Sequence, residues 1–188
     1  MKFNAQKTLF LIDGSSFLYR AYYGLRPLHT SSGIAVQAVF SFCRMIKKMI
    51  DLYGPKYVAL VWDSKGKTTR HEIFADYKAT RQAPPSDLFE QKEYIIQFAD
   101  LIGMKQVAQV GIEADDLMYS LAKDWIADNS ENGVVFVTLD KDMGQALTLS
   151  EHVYLLDAFK EHFSDKKSVE EKNKNENEKY NIVRFDIT

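Results

Sequence analysis

The sequence predicts an α/β fold: a mostly parallel central sheet flanked by helices, with an acidic site at the carboxyl ends of the strands. Three observations carry that expectation. Four short apolar, β-branched runs, "TLFLID" (8 to 13), "YVALVWD" (57 to 63), "KQVAQV" (105 to 110) and "VVFVTLD" (134 to 140), have the character of buried parallel strands. Stretches of helical periodicity separate them, and strands alternating with helices imply right-handed βαβ crossovers. Carboxylates stand at or just after the end of every run. With 188 residues, 46% hydrophobic and 13% aromatic, the chain can bury one sizeable core.

The first run is cut off by Asp13 after too few apolar residues for a signal-peptide core or a membrane span, which places the chain in the cytoplasm. The lone Cys43 sits among apolar neighbours and reads as an inert, buried thiol. From residue 35 to 53, polar Gln37, Ser41, Arg44, Lys48 and Asp51 recur at helical spacing and draw one solvated stripe on an otherwise buried helix, which Gly54-Pro55 ends. "APPSDLFEQKEYIIQFADLIG" (83 to 103) begins with prolines, continues with Asp87 and Glu90 as a capping box, and stops its apolar face at Gly103. "GIEADDLMYSLAKDW" (111 to 125) turns at once from acids into a helix burying Leu117, Met118, Leu121, Ala122 and Trp125. A short helix over 141 to 148 follows the fourth run.

Residues 160 to 179 are almost wholly Lys, Glu, Asn, Asp and Ser, the composition of a disordered loop or linker. "YNIVRFDIT" (180 to 188) regains β character and is expected to pair with "HVYLLD" (152 to 157) as a hairpin. The expected organisation is a core over 1 to 158, a polar linker over 159 to 179 and a strand-like terminal segment over 180 to 188.

Asp13 ends the first run, Asp63 the second, Glu113, Asp115 and Asp116 follow the third, and Asp140 with Asp142 close the fourth. In open α/β sheets the carboxyl ends of the strands border the ligand crevice, so these side chains should converge although they are far apart in the chain. Two like charges about 4 Å apart repel by roughly 4 kcal/mol at an effective dielectric near 20, so such a cluster calls for protonation or cations. An all-oxygen ligand set without paired His or Cys suits Mg²⁺ or Mn²⁺ rather than zinc. Asp115, Asp116 and Asp140 also have a plainer use as helix N-terminal acids or caps; Asp13 and Asp63 show no capping task in the sequence.

The net charge of −2 provides no global basic field, so positive charge for a nucleic-acid partner must be local. In "RHEIFADYKATR" (70 to 81) a helix would set Arg70, Phe74, Tyr77, Lys78 and Arg81 on one face, cations for phosphate and aromatics for base stacking. A solvated basic face with an aromatic packed inward is the plainer alternative.

Taken together, "LFLIDGSSFLYRAYY", "VWDSKGKTTRHEIFADYKATR", "GIEADD" and "TLDKDMGQAL" resemble, in order and spacing, the 5′-3′ exonuclease or flap endonuclease domain at the amino end of bacterial DNA polymerase I, a relative of PIN-like and resolvase-like nucleases. The resemblance runs from about residue 8 to 157. It implies a divalent-metal phosphodiesterase that trims DNA 5′ ends and flaps in replication and repair, using two Mg²⁺ or Mn²⁺ ions. Carried over residue by residue, the metal acids are Asp13, Asp63, Glu113, Asp115, Asp116, Asp140 and Asp142; Asp63, Asp115, Lys78 and Arg81 have catalytic roles; and Arg20, Lys65, Lys67, Arg70, Tyr77, Lys78 and Arg81 meet the DNA. The family's helix-hairpin-helix region, which grips duplex DNA and completes the second metal site, is expected to be absent. A DNA polymerase, or a polypeptide supplying that region, is the implied protein partner. A PIN-type ribonuclease and a DNA-binding remnant with little activity stand as alternatives.

Overall fold

In a computed structural model, residues 3–64, 84–169 and 171 are described. Strand β1 (Thr8–Asp13) leads into α1 (Gly14–Gly24) and α2 (Gln37–Tyr53), then β2 (Tyr57–Val61), α3 (Ser86–Leu101), β3 (Lys105–Val107), α4 (Ala114–Asp128) and β4 (Gly133–Val137). A 3-10 helix (Lys141–Thr148), β5 (Val153–Asp157) and β6 (His162–Ser164) complete the order. The expected third run contributes only three strand residues, at the sheet edge. Among the described residues no helix is long and apolar enough to cross a membrane.

The strands form one sheet in the order β3-β2-β1-β4-β5-β6. β1 pairs in parallel with β2 on one side and with β4 on the other, and among the described strands only β6 is antiparallel. The chain therefore builds outward from β1 to β3, then returns through α4 to lay β4 against the free side of β1. That reversal is the topological switch point at which α/β sheets open a crevice beyond their carboxyl ends.

Side chains alternate across the sheet, so each strand feeds two cores. Phe10 and Ile12 of β1 pack with Phe17, Phe42, Ile46 and Ile95 from α1, α2 and α3. Leu11 faces the other way, with Val61 and Phe136, against Leu117, Met118 and Ala122 of α4 and Met143 and Leu147 of the 3-10 helix. Each fully buried side chain of this size contributes roughly 1.5–3 kcal/mol. Gly14 lets α1 press onto β2: a Cβ there would stand 2.8 Å from Cε3 of Trp62 and 3.0 Å from Cδ1 of Leu60.

Four expectations change. Gln37 is buried rather than part of the solvated stripe on α2, which continues as exposed Arg44, Lys48 and Asp51. Cys43 is half-buried, with burial raising its thiol pKa. No capping box opens α3: its cap position is Pro85, without a side-chain bond, and Asp87 instead accepts the Tyr22 hydroxyl on both oxygens, at 2.8 and 2.9 Å. The polar segment after residue 159 begins with β6, because β5 offers an open edge and Phe163 packs into the aromatic group of Phe3 and Tyr53. The hairpin expected from residues 180 to 188 lies outside the described residues.

Candidate active site

Asp13 is the last residue of β1 and the cap of α1. Its Oδ1 accepts the Ser16 amide at 2.9 Å, and its Oδ2 accepts the Thr138 hydroxyl at 3.0 Å. Only 7% of its surface is exposed. Burial pushes this carboxyl above its usual 3.8 and the nearby Asp63 charge adds to the rise, while the Ser16 and Thr138 bonds oppose it. The direction matters chemically. A carboxylate buried beside a like charge gains from any cation placed between them.

Asp63 lies two residues beyond β2 and is exposed. Its Oδ1 accepts the Ala114 amide at 2.8 Å, so it caps α4 across 51 residues of chain, and its own amide donates to the Ser15 hydroxyl at 3.0 Å. Asp13 and Asp63 thus both have the capping tasks that the sequence did not reveal. Helix amides are orphan donors at every helix start, and a strand-terminal Asp sits where those of the next element point. Ser64 extends the link by accepting the Gly111 amide at 2.9 Å, in the turn where Gly111 takes φ +80.

The third and fourth acidic segments join the same edge. Asp140 caps the 3-10 helix by accepting the Asp142 amide at 2.9 Å, and its amide donates at 3.1 Å to the hydroxyl of Thr138 that also holds Asp13. Glu113 is buried at the start of α4 without a side-chain cap bond, and Asp115 accepts the Asp116 amide at 2.9 Å. Asp115 and Asp116 open onto a cleft of about 280 Å³ between α4 and the 3-10 helix, walled by Tyr119 and Gln145. Asp142 is exposed at the rim.

The structure therefore links Asp13, Asp63 and Asp140 to the start of α4 in one hydrogen-bonded edge. It does not close them into a ready cage: among the described residues no group of three or more His, Cys, Asp or Glu is placed to hold one ion. The donor chemistry still fits a hard divalent cation, because this edge presents carboxylate oxygens around a buried, charge-strained Asp13. Arg20 stands on α1 with its guanidinium 5.9 Å from the Phe159 ring centre. Lys65, Lys67, Arg70, Tyr77, Lys78 and Arg81 lie outside the described residues. Sequence reasoning missed Ser15, Ser64 and Thr138, the hydroxyls that tie the acids together; a Ser or Thr within two residues of each strand-end Asp was the available signal.

Residues 8–174 match the family model described as "5'-3' exonuclease, N-terminal resolvase-like domain". The chain is 36% identical over 165 residues to a 5′-3′ exonuclease of Aquifex aeolicus, a match covering 87% of this chain and 55% of that protein. It is 40% identical over 141 residues to DNA polymerase I of Pseudomonas aeruginosa, covering 75% of this chain but 15% of the polymerase. The chain thus spans about half of the first relative and a small part of the second. Among solved structures, the bacteriophage T5 D15 flap endonuclease in a complex with DNA and metal ions superposes with a TM-score of 0.61 at 17% identity, covering 89% of this chain and 61% of that one. At that identity the likeness is one of fold.

Proposed function

The chain belongs to the family of 5′-3′ exonuclease N-terminal, resolvase-like domains, and from that premise we propose that it forms the catalytic core of a divalent-metal nuclease cutting DNA at 5′ ends and 5′ flaps. The observation that carries the reading is the hydrogen-bonded row of Asp13, Asp63 and Asp140 at the switch point, with the α4 acids beside it. Asp13, Asp63, Asp115 and Asp140 would hold Mg²⁺ or Mn²⁺, with Glu113, Asp116 and Asp142 as the further carboxylates for a second ion. Such ions lower the pKa of bound water and neutralise charge on the leaving oxygen.

The chain's own residues do the rest. Thr138 and Ser16 hold the two oxygens of the Asp13 carboxyl in place at the end of β1, and Ser15 fixes the backbone that presents Asp63. Lys78 and Arg81, by the resemblance of their segment, add positive charge at the reacting phosphate. Lys65, Lys67, Arg70 and Tyr77 receive the single-stranded 5′ end, by phosphate contact and stacking. The physiological setting is repair and Okazaki-fragment processing, with a DNA polymerase or a duplex-gripping region as partner.

The test is cleavage of a labelled 5′-flap DNA with Mg²⁺ or Mn²⁺, then with chelator. Asp63→Asn, Asp115→Asn and Asp140→Asn keep shape and capping ability while deleting charge. Each should lower the cleavage rate by at least about 100-fold with folding intact. Wild-type rates in all three variants sink the metal assignment, and preferential cleavage of RNA in a competition converts the reading to a ribonuclease.

A further inference from the structure

The carboxyl edge carries a second concave feature apart from the acids. Between the outer face of α2 and the turn after β5 lies a cleft of about 420 Å³, lined among others by Leu25, Phe40, Arg44, Lys47, Lys48 and Phe159. β5 is parallel to β4, so Phe159, which follows it, lies at the same edge as Asp13 and Asp140. With strands about 4.8 Å apart, the end of β5 stands roughly 10 Å from that of β1.

One arginine, Arg44, lines the cleft, and a second, Arg20, stands against its Phe159 wall. The Arg44 guanidinium lies 5.5 Å from the centre of the Phe40 ring, and that of Arg20 lies 5.9 Å from the Phe159 ring. Among the described residues neither has a carboxylate partner, whereas Lys47 pairs with Asp51 and Lys48 with Glu161. The uncompensated charge of the cleft therefore rests on Arg44, with Arg20 beside the Phe159 wall, each guanidinium steadied by an aromatic face. Stacking occupies the face of a guanidinium and leaves the N–H donors along its edge unspent, in the planar fork that matches phosphate oxygens. An arginine already held by a ring loses less freedom when it binds than a free one. Phe40, 46% exposed, keeps that ring at the surface rather than in the core.

We propose that this cleft holds the phosphodiester backbone of the duplex part of the substrate, with Arg44 as its main contact and Lys47 and Lys48 along the same helix face. The proposal rests on the nuclease reading above. Arg44 then contributes affinity and register, while the acids at the end of β1 carry the reaction.

The experiment measures binding of a fluorescent 5′-flap DNA to the 188-residue chain over a range of KCl with chelator present, and single-turnover cleavage at saturating protein with metal added. Arg44→Gln should weaken binding about tenfold at low salt and reduce the slope of log K against log salt by about one phosphate contact. Its cleavage rate at saturation should remain unchanged. Arg44→Lys, which keeps the charge, should retain the slope, and Lys123→Gln, an exposed charge on α4, should alter nothing. A slope for Arg44→Gln equal to that of the unsubstituted chain overturns the cleft while leaving the nuclease reading standing. The expected slope change with no cleavage by any variant supports the cleft and overturns the nuclease reading. Absence of DNA binding by the unsubstituted chain overturns both.

Discussion

Thr138→Val isolates the joint on which the acidic edge turns. The substitution keeps the β-branched shape but deletes the hydroxyl that donates to Asp13 Oδ2 at 3.0 Å and accepts the Asp140 amide at 3.1 Å. Thr138 is 4% exposed and Asp13 is 7% exposed, so water replaces the lost bond to Asp13 poorly. A hydrogen bond to an ionised group contributes about 1.5–3 kcal/mol, and the added methyl returns at most about 0.8 kcal/mol. The net cost near neutral pH is about 1–2 kcal/mol, which lowers Tm by about 2–8 °C for a chain of this size. The cost also depends on pH. Burial raises the folded pKa of Asp13 above 3.8, so the native state holds that proton more tightly than the unfolded chain does. Its stabilising contribution is full below 3.8 and is lost as pH rises through the elevated folded value. Thr138 opposes that rise in pKa, so its removal deepens the loss; the gap between variant and parent should widen from acid to neutral pH. Urea denaturation at pH values from about 4 to 7.5 reads this directly, with Thr138→Ser as the variant that restores the hydroxyl. A destabilisation independent of pH, or equal in Val and Ser, would refute the assignment of the hydroxyl to the charged carboxylate.

Asp13→Asn should raise stability relative to the parent above the titration window of Asp13 while abolishing cleavage, since Asn still caps α1; chemical denaturation beside a flap assay measures both effects. Gly14→Ala should cost about 1–3 kcal/mol through overpacking, visible in the thermal melt and in the fluorescence of Trp62, whose ring the new methyl would meet at 2.8 Å. Burial, with the bond to Asp87, pushes the Tyr22 hydroxyl up to about 12 from 10.0, so its stabilising effect is full below pH 10.0 and lost as pH rises toward 12. Tyr22→Phe should flatten that alkaline loss in denaturation curves measured at high pH, and an unchanged profile would assign the loss to other groups. In metal-free buffer, adding Mg²⁺ or Mn²⁺ should raise the Tm of the parent chain more than that of Asp63→Asn, read in the same thermal melt.

Much of the fold was legible because its signals are local. The apolar run ending at Asp13, the 3.6-residue rhythm of α2 and the switch from acids to apolar residues at 113 to 118 each lie within one element, where period and propensity act. The errors fall where a neighbour distant in sequence intervenes. Asp87 looked like part of a capping box with Glu90, yet Tyr22, 65 residues away, claims its carboxylate. Residues after 159 looked too polar for structure, but the open edge of β5 gave His162–Ser164 a partner. Gln37 looked like a surface position, although it sits beneath α3 where Gln91 reaches across to accept the Ala38 amide at 2.7 Å.

The sequence by itself determined which donor chemistry the strand ends carry. Acids after every major strand, with no paired His or Cys, make an all-oxygen donor set of the kind that suits hard cations. Only the tertiary structure decided how those acids are joined. The order β3-β2-β1-β4 places the end of β1 beside that of β4, bringing Thr138 to Asp13 across 125 residues, while α4 swings its first amide onto Asp63 across 51. Such bonds have no local pattern. A buried carboxylate takes whichever donor the completed sheet sets against it, and the sheet forms by maximising burial of apolar residues along both faces of β1.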